Sequence, residues 1–231
     1  MANEWVERHQ GYEVDRPLSH RLRVVQDRLR EALDTCPLGP ARILSLCAGD
    51  GRDLLGVLST PPRAQEVRAR LIERTPELVA AGRERAFRDG LSTVEFVQAD
   101  ASSTDAYLGA VPAETVLVCG IFGNISDRDV RCTVDHLPEL SAENGTVIWT
   151  RGRFEPDLTP AIREWFVEAG YRERSFVTIP GTTMSVGTHR LEVPPRPLRR
   201  ERKPFTFLSK DERPSTRAGS PTNSPARALR P

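Results

Sequence analysis

Long apolar segments are missing from this sequence of 231 residues. The longest nearly apolar stretch, TVLVCGIFG, spans about ten residues, whereas about 20 are needed to cross a bilayer. The chain opens on MANEWVERHQ, a polar and charged stretch that does not resemble a secretory signal. We therefore expect a cytoplasmic protein with no membrane partner.

Cysteine is scarce, and the cysteines do not cluster. Cys36, Cys47, Cys119 and Cys132 stand far apart, without the CxxC or His-Cys spacing of a metal site. Two of them end strand-like apolar runs, where cysteine behaves as a small hydrophobic residue. We expect reduced thiols and no bound metal.

Lysine is absent before Lys203, and the charge is unevenly divided. Residues 194–231 hold ten basic residues, three acidic residues and eight prolines, which leaves residues 1–193 with a net charge of −6. So few apolar residues cannot offset the entropy of ordering, and we expect disorder from about residue 209. A basic tail suits nucleic acid or an acidic partner. Only Phe205 and Phe207 interleave with its charges, so we expect a solvated tail and no nucleic-acid binding.

Short apolar runs alternate with helical patterns from residue 41 to residue 193. The runs predict strands at 42–47, 67–73, 94–99, 115–120, 146–150, 171–179 and 184–193. Helices are predicted at 51–60, 76–90, 127–140 and 160–170, with a short one after Ser102–Thr104. Thr75–Pro76 and Thr159–Pro160 are typical of helix starts.

This order of elements predicts an α/β fold with a doubly wound, mostly parallel, seven-stranded sheet and helices on both faces. Only PGTT separates the last two strands, so we expect a β-hairpin with one antiparallel strand at an edge. Residues 1–38 form an N-terminal helical lid in this interpretation, 39–193 the core, and 194–231 a largely disordered basic tail.

The loop after the first strand, in LSLCAGDGRD, is the candidate for ligand binding. Gly49 and Gly51 remove two side chains there, and the next helix begins at once. A dinucleotide fingerprint needs a third glycine, where Leu54 stands, and a phosphate-binding P-loop needs a lysine, which is missing. A plain turn between strand and helix is the alternative interpretation.

Two acidic residues at neighbouring strand ends favour a nucleoside ligand. Glu73 ends the second strand, where a carboxylate can accept hydrogen bonds from both hydroxyls of a ribose. Asp100 follows the third strand, where it can accept a hydrogen bond from an adenine amino group. Either acid alone is more often a cap or a surface acid, and the ligand interpretation depends on both of them following strands next to the double-glycine loop.

On ILSLCAGDG, Glu73, VQAD, VLVCGIFGNIS and the terminal hairpin, the chain resembles the class I S-adenosylmethionine-dependent methyltransferases over residues 41–193. The resemblance implies S-adenosylmethionine as cofactor, with Gly49 and Gly51 beneath its amino acid part, Glu73 on the ribose and Asp100 on the adenine. The cofactor-binding residues implied in this way are Cys47, Ala48, Gly49, Asp50, Gly51, Asp53, Glu73, Arg74, Asp100, Ala101, Cys119 and Gly120. The sequence departs from the family pattern at Ser45, Cys47 and Arg74, where the family often has an acid, a glycine and an apolar residue.

The methyl acceptor is expected to meet the loop CGIFGNIS after the fourth strand. Phe122 offers a ring there, and Asn124 a donor and an acceptor; a glycine-rich loop that caps the next helix is the alternative. Arg151 is a candidate for binding an anionic group of the substrate. The N-terminal segment is expected to close the site, and its residues His9 and Tyr12 are candidates for contacting the substrate or the cofactor. No catalytic base can be named.

The expected function is methyl transfer to a small molecule, such as a specialised metabolite. A nucleotide-binding Rossmann-type oxidoreductase and a non-catalytic S-adenosylmethionine-binding protein are the alternatives. A homodimer is compatible with the sequence, which does not say whether the acceptor atom is O, N, C or S.

Overall fold

A computed structural model describes residues 16–36, 39–59 and 66–212. Its seven strands are β1 (Ala41–Leu46), β2 (Val67–Glu73), β3 (Val94–Gln98), β4 (Ala113–Val118), β5 (Ser141–Gly152), β6 (Tyr171–Thr178) and β7 (Met184–Leu191). The α-helices are α1 (Arg16–Asp34), α2 (Arg52–Leu58), α3 (Pro76–Arg88), α4 (Asp127–His136) and α5 (Thr159–Glu168). Single 3-10 turns lie at Thr104–Tyr107, Leu137–Glu139 and Lys210–Glu212.

The strands form one sheet in the order β3-β2-β1-β4-β5-β7-β6. The pairs among β1 to β5 are parallel, and β7 is antiparallel to both of its neighbours. The predicted fold class is confirmed, but the antiparallel strand is not at an edge. After β5 and α5, the chain enters the sheet at its edge as β6 and leaves one strand position empty beside β5. The hairpin then places β7 in that position, between β5 and β6.

Alternating side chains divide the core into two clusters, one on each face of the sheet. The α1–α3 core packs Leu29 of α1, Leu55 of α2 and Val79 of α3 on one face. The α4–α5 core packs Val130 of α4 and Phe166 of α5 on the other, together with Tyr107 of the first 3-10 turn.

Helices lie on both faces as expected, but they leave part of the second face uncovered. The link from β3 to β4 contains a four-residue 3-10 turn instead of an α-helix. Near their starts, β1, β2 and β3 carry Arg42, Arg68, Arg70 and Glu95 on this face, all of them partly or fully exposed. The alternation in VRARLIE is the sequence signature of such a half-exposed strand.

The helix starts agree with the sequence except at α5. Pro76 opens α3 behind Thr75, and Ser126 caps α4 by accepting a hydrogen bond from the Asp129 N–H. Thr159 is already helical in α5, and its N–H and hydroxyl both donate to the Asp157 carboxylate. The cap function predicted for Thr159 therefore lies with Asp157.

A fully buried histidine stands on β7 among aromatic rings. The Trp149 indole donates to Nδ1 of His189, and the Phe166 ring stacks on the imidazole with centroids 4.2 Å apart. Burial lowers the pKa of His189 to about 4, although the Glu173 carboxylate, 3.6 Å from Nε2, opposes the shift. His189 is therefore neutral in the folded protein at pH 7.

Acidification from pH 7 to pH 5 is expected to lower the free energy of unfolding by about 2 kcal/mol through His189. An unfolded histidine takes up a proton near pH 6.5, whereas the folded one resists protonation down to about pH 4. Stability is therefore lost as the pH falls through that window. Urea unfolding at both pH values measures the change. His189→Gln should reduce the pH dependence of the free energy of unfolding, whereas His20→Gln, at an exposed position, should leave it unchanged. An equal pH dependence in the two variants would contradict the assignment to His189.

Candidate active site

Four parallel strands deliver the predicted site residues to one edge of the sheet. β1 ends before the glycine loop, β2 ends at Glu73, β3 ends before Asp100, and β4 ends before Cys119 and Gly120. Carboxyl ends of parallel strands form the usual ligand site of an open α/β sheet. The structure therefore brings together, at this edge, the cofactor residues that the sequence predicted.

The glycine loop turns the chain from β1 into α2 with three left-handed residues. Gly49 and Gly51 have φ of 60° and 73°, and Cys47 has φ of 54°. A non-glycine residue rarely adopts this conformation, which costs roughly 1–2 kcal/mol. The family's glycine position thus keeps a glycine-like backbone here although the residue is cysteine. A Cβ on Gly51 would lie 2.6 Å from the Phe96 ring, so close packing also requires this glycine.

Glu73 ties the second strand to the glycine loop. Its buried carboxylate accepts hydrogen bonds from the Gly49 N–H at 2.9 Å and the Thr75 N–H at 2.8 Å, one on each oxygen. Each carboxylate oxygen has a second lone pair. Glu73 can hold the loop and still accept hydrogen bonds from a ligand.

Asp100 is the more exposed acid of the pair. Its Oδ1 accepts hydrogen bonds from the Ser102 N–H and hydroxyl, and its Oδ2 lies 3.6 Å from the Lys203 ammonium. Partial burial alone would raise the pKa of Asp100, but these donors outweigh it and lower the pKa. The carboxylate is ionised at neutral pH and can accept a hydrogen bond from an amino group.

Cys47 and Cys119 carry the thiols of the site. Burial, followed by the charges of Glu73 and Asp100, raises the pKa of Cys47 well above its usual value. Burial and the neighbouring Asp53 do the same to the pKa of Cys119. Both thiols stay protonated at neutral pH, which argues against a nucleophilic role, because the thiolate is the reactive form.

The remaining loop residues are placed as follows. Asp50 forms an ion pair with Arg52 at 2.6 Å, Asp53 lies beside Cys119, and Ala101 offers its carbonyl to the Tyr107 hydroxyl. Ala48 donates its N–H to the Ile72 carbonyl at 2.9 Å, and Arg74 is exposed at the end of β2.

The loop after β4 is organised by its own backbone. The Gly120 N–H donates to the Thr150 hydroxyl, and the Asn124 side-chain amide donates to the Gly120 carbonyl. A Cβ on Gly120 or Gly123 would meet no atom within 4 Å, so both glycines border open space. Asn124, predicted to face a substrate, is buried and uses its amide donor within the loop.

Phe122 does not offer its ring to a ligand in this structure. The ring has no exposed surface and packs 5.8 Å from the Trp149 ring in the α4–α5 core. Burying a phenyl ring is worth about 2 kcal/mol, and this gain folds the middle of the loop inward. The ring that was expected to meet the acceptor is therefore part of the core in this structure.

Arg151 is also placed differently from its prediction. Its guanidinium, with 8% of the side chain exposed, donates to the Phe122 carbonyl and lies 3.4 Å from the Asp127 carboxylate. These bonds clamp the β4–α4 loop instead of leaving a free cation for a substrate. His9 and Tyr12 lie outside the described residues.

A C-terminal strap, residues 196–208, crosses this side of the molecule. Its backbone exchanges hydrogen bonds with Thr104 through Arg202, and the Leu208 N–H donates to the Asn124 carbonyl. Phe205 is 1% exposed and belongs to the α4–α5 core. The strap therefore fills part of the space over the short β3–β4 link.

The sequence signal for the strap was the pair Phe205 and Phe207 within an otherwise polar segment. The expected disorder beyond residue 209 concerns mainly residues 213–231, which lie outside the described part of the chain.

Two further observations apply to the described ranges. No helix among the described residues is long and apolar enough to cross a membrane. Within the same ranges, no group of three or more His, Cys, Asp or Glu side chains is arranged to hold a metal ion.

Comparison with known families gives one match, to a family described as "Putative methyltransferase", over residues 16–166. No curated protein sequence matches the chain. The family match covers more than half of the chain, including every described site residue up to Arg151.

Solved structures of several methyltransferases share the fold. A 1,6-didemethyltoxoflavin N1-methyltransferase from Burkholderia thailandensis, with its substrate and S-adenosylhomocysteine bound, is 18% identical with a TM-score of 0.62. The match covers 83% of this chain and 87% of that one. A magnesium protoporphyrin IX methyltransferase from Synechocystis PCC 6803 with bound SAM is 11% identical, with a TM-score of 0.58 and coverage of 75% and 81%.

An O-methyltransferase family protein from Burkholderia thailandensis is 18% identical, with a TM-score of 0.56 over 74% of this chain. The chain spans only 57% of that protein's length. At these identities the likeness establishes the fold.

Proposed function

The chain belongs to this methyltransferase family, and from that premise we propose that it transfers a methyl group from S-adenosylmethionine to a small-molecule acceptor at the carboxyl edge of β1–β4. The observation that supports the proposal best is the position of Glu73. Its carboxylate is fixed by the Gly49 and Thr75 N–H groups and keeps lone pairs for the two hydroxyls of a ribose.

The other site residues fit the same cofactor. Gly49 and Gly51 would lie beneath its amino acid part, and Asp100 would accept the adenine amino group. Gly120 supports the fit, since its missing side chain leaves open space beside the loop. Lys203 stands against Asp100 as well, so adenine and the Lys203 ammonium would share that carboxylate.

When bound, the cofactor would supply an electrophilic methyl group on a sulfonium, and transfer of that methyl to an acceptor nucleophile would release S-adenosylhomocysteine. The protein has to hold that nucleophile about 3–3.5 Å from the methyl carbon and to exclude water. Arg151 serves this purpose indirectly, because it fixes the β4–α4 loop on the acceptor side. A general base is required only for an acceptor whose proton has a high pKa, and we assign no catalytic residue.

The acceptor is proposed to be a small molecule, because the toxoflavin and porphyrin methyltransferases of the same fold act on small molecules. The sheet order with β7 inserted antiparallel, and Leu54 in place of a third glycine, oppose a dinucleotide-dependent oxidoreductase. We also propose a cytoplasmic location, and the oligomeric state stays open between a monomer and a homodimer.

Calorimetry with three nucleotides tests this function. We expect S-adenosylmethionine and S-adenosylhomocysteine to bind with micromolar affinity and NAD not to bind. Binding of NAD alone would overturn the proposal. A mass-spectrometric screen for a gain of one methyl group on candidate metabolites then separates an enzyme from a non-catalytic binding protein.

A further inference from the structure

A groove lies on the part of the sheet that the short β3–β4 link leaves open. Its volume is about 540 Å³, and it is lined by Arg42, Arg68, Arg70, Thr93, Glu95 and Gly109, among others. We call it the arginine groove. These residues lie at or near the starts of β1, β2 and β3 and just before β4, at the edge of the sheet opposite the candidate active site. Glu73 lies five positions after Arg68 on β2, which corresponds to about 16 Å along the strand.

Three arginines line the arginine groove. Arg42 and Arg68 are register partners on neighbouring strands, and Arg70 follows Arg68 on the same face. Neighbouring strands lie about 4.8 Å apart, and like charges directly opposite each other destabilise a sheet. Glu114 and Glu95 pair with Arg42 and Arg70, so within the described part of the chain the charge of Arg68 is the uncompensated one among the three arginines. A bound anion would relieve that repulsion.

Two of the three arginines are held in position, and one is free. Arg42 is paired with Glu114 through its backbone N–H at 2.6 Å and its guanidinium at 3.4 Å. Arg70 donates to Glu95 at 2.9 Å and to the Leu108 carbonyl. The exposed Arg68 guanidinium makes no hydrogen bond or ion pair within the described ranges. Arg42 and Arg70 are therefore held in place before a ligand arrives, and the Arg68 side chain can turn toward the ligand.

We propose that the arginine groove binds a small phosphate-bearing anion, at a site separate from the methyl-transfer site. Guanidinium groups match phosphate oxygens with paired hydrogen bonds, and their charge is independent of pH in the physiological range. The volume is within the usual range of small-molecule sites, roughly 300–1,000 Å³. The inference does not depend on the proposed function.

Inorganic pyrophosphate is the probe. We expect it to bind the full-length protein at near-physiological ionic strength, and Arg68→Ala to weaken this binding about tenfold or more. Arg23→Ala is the matched control, because it removes the same charge from an exposed position on α1, on the other face of the sheet. It should leave pyrophosphate binding unchanged. Neither variant should alter the affinity for S-adenosylhomocysteine.

Thermal unfolding distinguishes a ligand site from a structural arginine. We expect pyrophosphate to raise the unfolding temperature of the wild type and of Arg23→Ala, but not that of Arg68→Ala. Without pyrophosphate, Arg68→Ala should be as stable as the wild type or more stable, since a like-charge contact is removed. No pyrophosphate binding to the wild type, or an equal loss in both variants, would overturn the proposal.

Discussion

Replacing Glu73 with alanine is expected to weaken binding of S-adenosylhomocysteine by between about 1 and 3 kcal/mol, roughly 5- to 150-fold. The buried carboxylate accepts two backbone N–H groups, so its loss leaves the Gly49 and Thr75 N–H groups without their acceptor. It also removes the proposed partner of the ribose hydroxyls. Titration calorimetry gives the affinity, and circular dichroism shows whether the variant folds.

Two variants separate the charge of Glu73 from other effects. Glu73→Gln keeps one carbonyl acceptor but directs an amide donor toward the second N–H group, so we expect an intermediate loss of affinity. Glu77→Ala removes the exposed acid in the first turn of α3, four residues after Glu73, and should bind as the wild type does. An unchanged affinity in a folded Glu73→Ala protein would remove Glu73 from the cofactor site.

Most of the fold could be predicted from patterns of apolar residues within short segments, because burial of a strand or helix determines those patterns locally. Every predicted strand agrees with an observed strand, since burial on both faces or on one face leaves a mark in consecutive residues. The position of β7 inside the sheet was missed because it depends on which distant strands pair. A hairpin signal contains no information about that choice.

The candidate site was predictable where it depends on strand ends and less so where it depends on packing. Glu73 and Asp100 follow from topology, because parallel strands carry their carboxyl ends to one edge. Phe122 and Arg151 were expected to face a substrate, but both make contacts within the protein. The sequence does not show that the Phe122 ring packs into the core or that the Arg151 guanidinium donates to a backbone carbonyl. The burial of Phe205 was not predicted, because the expectation for the tail came from its overall composition. That composition is mostly charged and polar and does not single out one ring that packs into the core.

Phe205 therefore carries the other large prediction, a loss of about 3–5 kcal/mol in the free energy of unfolding on Phe205→Ala. The ring is fully buried in the α4–α5 core, and no α-helix spans the short β3–β4 link to fill its place. Urea unfolding followed by fluorescence measures the change. A loss of this size is a large share of the total stability of a domain, which is commonly about 5–15 kcal/mol.

The neighbouring Phe207 provides the matched control. Its ring packs edge-on against Phe205 at 5.6 Å but is 36% exposed, so Phe207→Ala should cost no more than about 1 kcal/mol. A chain that ends at Leu208 should keep wild-type stability, whereas one that ends at Leu198 should lose as much as Phe205→Ala or more. If the chain ending at Leu198 were as stable as the wild type, the strap would not be part of the folded core. Lys203 lies in the chain between Phe205 and Arg202, whose backbone N–H donates to the Thr104 hydroxyl. Loss of the Phe205 packing should therefore also weaken the ion pair between Lys203 and Asp100. A structural ring in the tail and a carboxylate in the proposed adenine site are thus coupled through three residues of chain.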